Sequence, residues 1–320
     1  MDRRYDIITT GMALVDSIVI GYDSKPVYGR VYRAEEGSLY AGGEAVNSAI
    51  AASKLGMNTA IFCHLGEDEA GRLVEETLKK YGVATDAILK DQHPTPVSTL
   101  LVDCSGERSS ITNSAHRFNF RPDFYPERIA DTSAVIVDSL FRAPFDDAGI
   151  IKRFLKQAKE NGSIVFADTK IPNFRKLSLH DIRESLSLID YITPNEDEAR
   201  FFTGKTEPEE MAKVFYEAGA ENVIIKLGSK GCYFRSAEDS GFIPAYDIQA
   251  VDATGAGDNF IAGLASEILR GVALQQALQF ASACGAICAT AAGASTALTG
   301  RQQVLEFMAD CRYNNDSDII

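Results

Sequence analysis

Basic charge is scarce in this chain. Its 32 Lys and Arg face 45 Asp and Glu, a formal net charge of −13. That balance argues against nucleic-acid or membrane-surface binding, both of which use clustered Lys and Arg. A metal-thiolate framework is also missing. The six cysteines include no Cys-x-x-Cys pair, and Cys284 and Cys288 sit one helical turn apart in an Ala-rich segment that reads as core. The four histidines, His64, His93, His116 and His180, lack metal-ligand spacing. No apolar run reaches membrane-spanning length. No Gly-x-Gly-x-x-Gly follows the first strand, which excludes a Rossmann-type dehydrogenase. Residues 1–5 lead straight into a strand without a targeting segment, so a soluble, cytoplasmic protein is expected. Neither a repeat nor a low-complexity linker divides the 320 residues, and one large α/β domain spanning 1–320 is expected.

The most informative stretch is Asp252-Ala253-Thr254-Gly255-Ala256-Gly257-Asp258-Asn259-Phe260. It follows an extended run and opens a long apolar helix. Gly255 and Gly257 allow close backbone approach. At a helix start the N–H groups of Gly255, Ala256 and Gly257 lack intrahelical acceptors and sit at the positive end of the dipole, which suits an anion. A carboxylate at Asp258 does not belong in a plain anion site. It makes sense as the acceptor of a proton from a nucleophile attacking a bound phosphate.

Elsewhere the pattern alternates strands and helices. Strands are expected over 6–12, 59–65, 134–138, 163–168, 189–193 and 222–227. Helices are expected from Ala41 to Leu55 and over 69–81, 145–160, 196–202, 209–218, 274–291 and 301–308, with a polar tail over 314–320. This predicts a three-layer α/β/α sandwich on a mostly parallel central sheet. Two regions depart from the pattern. Residues 22–40 are rich in Gly, Pro, Tyr and β-branched types. The runs 97–102 and 108–112 flank a hairpin signal at Asp103-Cys104-Ser105-Gly106-Glu107. Together they suggest a small β-sheet inserted at about 17–39 and 96–117.

These motifs resemble the ribokinase-like (PfkB) carbohydrate kinases. The family's Asp-Thr-x-Gly-Ala-Gly-Asp stands as Asp252 to Asp258. Its Gly-Gly, Asn-x-Ala and Leu-Gly stand as Gly42-Gly43, Asn47-Ser48-Ala49 and Leu55-Gly56. Its Asn-x-x-Glu stands as Asn195 to Glu198, and its Lys-x-Gly-x-x-Gly as Lys226 to Gly231. Any one alone is weak, but all occur in the family's order across nearly the whole chain. The resemblance implies an ATP-dependent phosphotransferase acting on a hydroxyl, with the small sheet as a lid that excludes water. It implies Asp258 as base and Gly255, Ala256 and Gly257 as anion hole. Asp16, Gly42, Gly43 and Asn47 would hold the acceptor. Asn195, Lys226, Gly228, Gly231, Gly255 and Gly257 would hold ATP. Glu198 would act on Mg2+ through water. Asp252 and Thr254, near Gly293, would join a monovalent cation site for K+. Relatives that pair through their lids imply a homodimer.

Lys170, after the strand ending at Asp168, lies where α/β ligands bind. His116 and Arg117 fall at the end of the expected lid. The chain departs from ribokinases at Leu14, where they carry Asn, and at Glu44-Ala45, where they carry Lys-Gly. Fructokinases and ketodeoxygluconate kinases carry Gly-Glu where this chain has Gly11-Met12. The acceptor class is therefore open among ketose, aldose, keto-deoxy acid and nucleoside. The alternatives to a sugar kinase are a nucleoside kinase of the same fold and a non-catalytic sugar-binding regulatory relative.

Overall fold

The structure, a computed structural model, describes residues 3–22, 33–104, 108–113 and 120–311. In chain order it opens with β1 (Tyr5–Thr10), β2 (Leu14–Tyr22), β3 (Glu36–Gly42), α1 (Glu44–Lys54), β4 (Thr59–Phe62), β5 (His64–Gly66) and α2 (Glu69–Lys80). There follow β6 (Leu89–Asp91), β7 (Val97–Asp103), β8 (Arg108–Thr112), β9 (Thr132–Leu140), α3 (Ala148–Glu160), β10 (Ile164–Thr169) and α4 (Arg183–Leu186). Then come β11 (Tyr191–Ile192), α5 (Glu196–Thr203), α6 (Pro208–Glu217), β12 (Asn222–Lys226), β13 (Cys232–Arg235) and β14 (Ser240–Ile243). The described chain closes with α7 (Ala256–Leu269), α8 (Leu274–Ala289) and α9 (Arg301–Asp310).

Eight strands form the main sheet in the order β14-β13-β12-β11-β10-β9-β1-β4. From β4 to β12 neighbours are parallel, and the β12-β13-β14 edge is antiparallel. Alternate strand residues point to opposite faces. Ile8, Val135, Val137, Val165, Val223 and Ile225 pack with α3, α5 and α6. Ile7, Ala134, Ile136, Phe166 and Ile224 pack with α1, α7 and α8. Covering both faces is why these strands read as continuous apolar runs, and it makes the three layers the sequence predicts.

A separate sheet has the order β3-β2-β7-β8. It corresponds to the two regions that lack helical periodicity, with strands at 14–22, 36–42, 97–103 and 108–112. Asp16 falls after the strand expected over 6–12. It lies inside β2, in register with Tyr40 of β3 and Ser98 of β7. The neighbouring row, on the opposite face, is Leu39, Ser17, Thr99 and Ile111.

Other differences are local. The expected strand over 59–65 divides at Cys63, because β5 leaves the main sheet to pair with β6. α1 starts at Glu44, since Gly42 still belongs to β3 and Gly43 caps the helix. The short helix α4 was not expected from the pattern. His116, Arg117, the hairpin turn at 105–107 and the tail over 314–320 lie outside the described residues.

Candidate active site

A cavity of about 700 Å³ runs along the C-terminal ends of the main strands. Such ends are where open α/β sheets bind ligands. It brings together Asp16, Gly43 and Asn47 at one end, Asp258 and the Gly255–Gly257 turn in the middle, and Asn195, Lys226, Gly228 and Gly231 at the other. These residues span more than two hundred positions of sequence and come from both sheets and three helix starts.

The middle is set by α7. Gly255 caps it in the left-handed region at φ 80°, and an added Cβ there would overlap Ala294. Only glycine meets both demands. Asn259 locks the turn from within the helix. Its Nδ2 donates to the Gly255 carbonyl at 2.8 Å and to that of Ala294 at 2.9 Å. Of the three N–H groups expected at the anion hole, that of Ala256 is engaged by the Ala253 carbonyl at 3.1 Å.

Asp258 follows in the first helical turn and is 6% exposed. Asn47 of α1 donates to it through Nδ2 at 2.8 Å, joining the two helices at the site. Burial pushes the Asp258 carboxyl up to about 6, a rise that Lys170 opposes and Glu44 adds to. The group is thus a far better proton acceptor near neutrality than an ordinary aspartate, and it is still ionised at pH 7. Behind it, Ser48 donates to the fully buried Asp138 at 2.8 Å. Burial, with the Asp258 charge nearby, raises Asp138 well above the usual carboxylate range.

A chain of alternating charge runs beside the turn. Lys226 Nζ donates to Asp168 at 2.7 Å. Lys170 Nζ lies 3.8 Å from Asp168 and 3.9 Å from Glu44. Thr193 also donates to Asp168, at 3.0 Å. Burial acts to raise Asp168, but Lys226 and Lys170 outweigh it and hold the carboxyl below its ordinary value. Burial disfavours charge on Lys170 too, yet Asp168, Glu44 and Asp258 keep its ammonium firmly protonated. A Cβ on Gly257 would come within 3.1 Å of Lys226 Nζ, so that ammonium sits at the glycine turn.

Asn195 and Glu198 form a capping box on α5. The Asn195 side chain accepts from the Glu198 N–H, and Glu198 Oε2 accepts from the Asn195 N–H, both at 2.9 Å. Thr169 donates to the same Oε2 at 2.9 Å. Glu198 is 4% exposed and stands behind Asn195 rather than on the cavity wall, and burial raises its carboxyl. Asp252 accepts from Thr254 N and Oγ1 at 3.0 and 2.7 Å and from Gly293 N at 3.2 Å, so these three positions do converge. Among the described residues no three His, Cys, Asp or Glu side chains are grouped as a metal cluster. No helix among them is long and apolar enough to cross a membrane.

Sequence reasoning missed Asp168 as the hub between two lysines. The available signal was an acid ending a buried strand, two residues before Lys170. Glu44 was visible only as a departure from relatives, and Asp138 only as a strand-end acid.

Comparison with known proteins places the chain among carbohydrate kinases. The family model described as pfkB family carbohydrate kinase matches residues 7–300. A ribokinase of Haemophilus influenzae is 29% identical over 315 residues, covering 95% of this chain and 99% of the relative. An ATP-dependent 6-phosphofructokinase of Thermoanaerobacterium thermosaccharolyticum is 28% identical over 296 residues, covering 89% and 88%. Among solved structures, Arabidopsis thaliana ribokinase complexed with ribose and ATP superposes with a TM-score of 0.83 at 27% identity, covering 96% of this chain and 99% of that one.

Proposed function

Since the chain belongs to the pfkB family of carbohydrate kinases, we propose that it transfers the γ-phosphoryl group of ATP to a hydroxyl of a sugar, with Asp258 as the base. The observation that carries this reading is the meeting of a buried carboxylate, raised to about 6, with a glycine anion turn at one helix start inside one cavity.

The acceptor lies against Asp16, Gly42, Gly43 and Asn47, where a carboxylate accepts from neighbouring hydroxyls and the Asn47 amide both donates and accepts. Asp258 takes the proton of the attacking hydroxyl. The Gly255 and Gly257 N–H groups of the turn and Lys226 stabilise charge on the transferring group, the Ala256 N–H being turned to Ala253. The nucleotide lies along Asn195, Lys226, Gly228 and Gly231. Mg2+ fits this end, because the groups offered are oxygens and amides without thiol or imidazole, and an ion that retains its waters needs few protein ligands. Asn195 would reach it through water, with Glu198 behind Asn195 as its capping partner rather than on the wall. Bound there, it would neutralise phosphate charge. The convergence of Asp252, Thr254 and Gly293 supports a monovalent cation such as K+ beside the turn.

The smaller sheet acts as a lid: Asp16 hangs from its β2 strand into the cavity, so the sheet brings an acceptor ligand with it. On its other face Leu39 and Ile111 are 61% and 71% exposed, which supports pairing of two copies through the lid.

The test is a panel of ketoses, aldoses, keto-deoxy acids and nucleosides with ATP and Mg2+, followed by ADP release. One class should stimulate release strongly. ATP binding without stimulation by any of them would favour a regulatory sugar-binding protein instead.

A further inference from the structure

The acceptor end of the cavity carries more negative charge than hydroxyl binding requires. Five acids line the cavity as a whole, Asp16, Glu44, Asp168, Asp247 and Asp258, against two bases, Lys170 and Lys226. Lys226 is committed to Asp168 at 2.7 Å. At the acceptor end Asp16, Glu44 and Asp258 therefore face one ammonium, that of Lys170, which Asp168 shares.

Glu44 is the residue that tips this balance. It is the first residue of α1, and the first turn of that helix lines the cavity through Gly43, Glu44 and Asn47. A bare helix start would attract an anion. Here a fixed carboxylate occupies that end. The Asp16 carboxylate packs directly over Gly42, two positions from Glu44. The two feel each other: burial, then the Glu44 charge, raises Asp16 above the ordinary carboxylate range.

Resting on the kinase reading above, we propose that Glu44 is a specificity-determining residue that restricts the acceptor to molecules carrying no negative group. Like charges brought together across an interface cost several kcal/mol, enough for strong rejection. A sugar bearing phosphate or carboxylate next to Asp16 and Glu44 meets that repulsion with half of one lysine to offset it. A neutral polyhydroxy acceptor meets none, and Glu44 offers its hydroxyls a further hydrogen-bond acceptor. The names of the relatives leave this choice open, since they include both ribokinase and 6-phosphofructokinase.

The experiment uses acceptor pairs differing in one anionic group, fructose against fructose 6-phosphate and ribose against ribonate. For each, kcat/KM is measured by ADP release in the wild type, Glu44→Gln and Glu44→Lys. The wild type should prefer the neutral member of a used pair at least 100-fold. Glu44→Gln should narrow that ratio and Glu44→Lys should narrow it at least tenfold. A Glu44 that merely complements the positive start of its helix would leave the ratio unchanged. An unchanged ratio in Glu44→Lys, or a wild type preferring the anionic member, overturns the proposal. Calorimetric binding of the same pairs to Asp258→Asn reads the charge rule without chemistry, which separates it from failure of the kinase reading. Tighter binding of the anionic member, or no binding by any neutral member, overturns it as well.

Discussion

The two sheets differ in what holds them. Strands of the main sheet are covered on both faces, and Ile7, Val135, Ile136, Val165, Phe166 and Ile224 are all fully buried. The smaller sheet is half-buried at best along β7, and Leu39, Tyr40 and Ile111 are open to solvent. The cavity inherits this contrast. Its proposed nucleotide end is built from glycine turns and Lys226 at the strand ends of the main sheet. Its acceptor end depends on Asp16, carried by the smaller sheet, and on side chains of the first turn of α1. Backbone contacts suit a ligand shared by many kinases, whereas side chains set which acceptor is taken.

Four experiments would break or sharpen that contrast. The largest effect falls where the ends meet. Asp258→Asn should fold, bind ATP by calorimetry and lose roughly 10³-fold in kcat, in line with removal of a general base. Near-normal turnover would remove Asp258 from the chemistry. The same variant reads the strain of the site. Asp258 is raised from 3.8 to about 6 in the fold, so the folded state binds its proton more tightly than the unfolded chain. The wild type therefore loses about 3 kcal/mol as pH rises from about 4 to about 6. Above pH 6, Asp258→Asn should unfold at higher urea than the wild type.

Next comes packing. Phe154→Ala, in the fully buried layer beneath the main sheet, should cost about 3–5 kcal/mol in urea unfolding. Ile111→Thr on the exposed face of the smaller sheet should stay within about 0.5 kcal/mol. Equal losses would refute the division between the sheets.

A third test separates the two ends of the cavity. At Gly42 a Cβ would overlap the Asp16 carboxylate, while at Gly228 no atom lies within 4 Å of an added Cβ. Gly42→Ala should raise the acceptor KM about tenfold, about 1.4 kcal/mol, with ATP affinity unchanged. Gly228→Ala should cost about 1 kcal/mol of stability from its φ of 60° and leave the acceptor KM alone. The opposite pattern would exchange the assignments.

The smallest effect is in pH dependence. Asp258 must be ionised to accept a proton, so kcat/KM should fall as pH drops through about 6, tenfold per unit well below it. Lys170 holds the Asp258 carboxyl down. Lys170→Met should therefore move this limb to higher pH, and a limb that stays put would argue that Lys170 does not act on the base.

Much of this was legible in the sequence because it is local. Turn glycines, helix starts and the period of apolar residues are properties of neighbours along the chain, so the glycine-rich start of α7 and most elements fell within a few residues of their bounds. The errors came where pairing decides. Nothing near Asp16 says that β2 leaves the main sheet, and nothing near Cys63 says that one apolar run will serve two sheets. Those outcomes depend on which distant strand supplies the hydrogen bonds.

By itself, then, the sequence determined the layer architecture, the glycine turn at the start of α7 and the identity of the carboxylate at its end, since short-range sterics and periodicity suffice for each. Only the tertiary structure decided the charge balance around that carboxylate. Asp168 lies between Lys226 and Lys170, and Glu44 faces Lys170, across 58 positions for the first of these pairs. Electrostatic energy depends on distance through space and on burial, and neither is written in the order of residues along the chain.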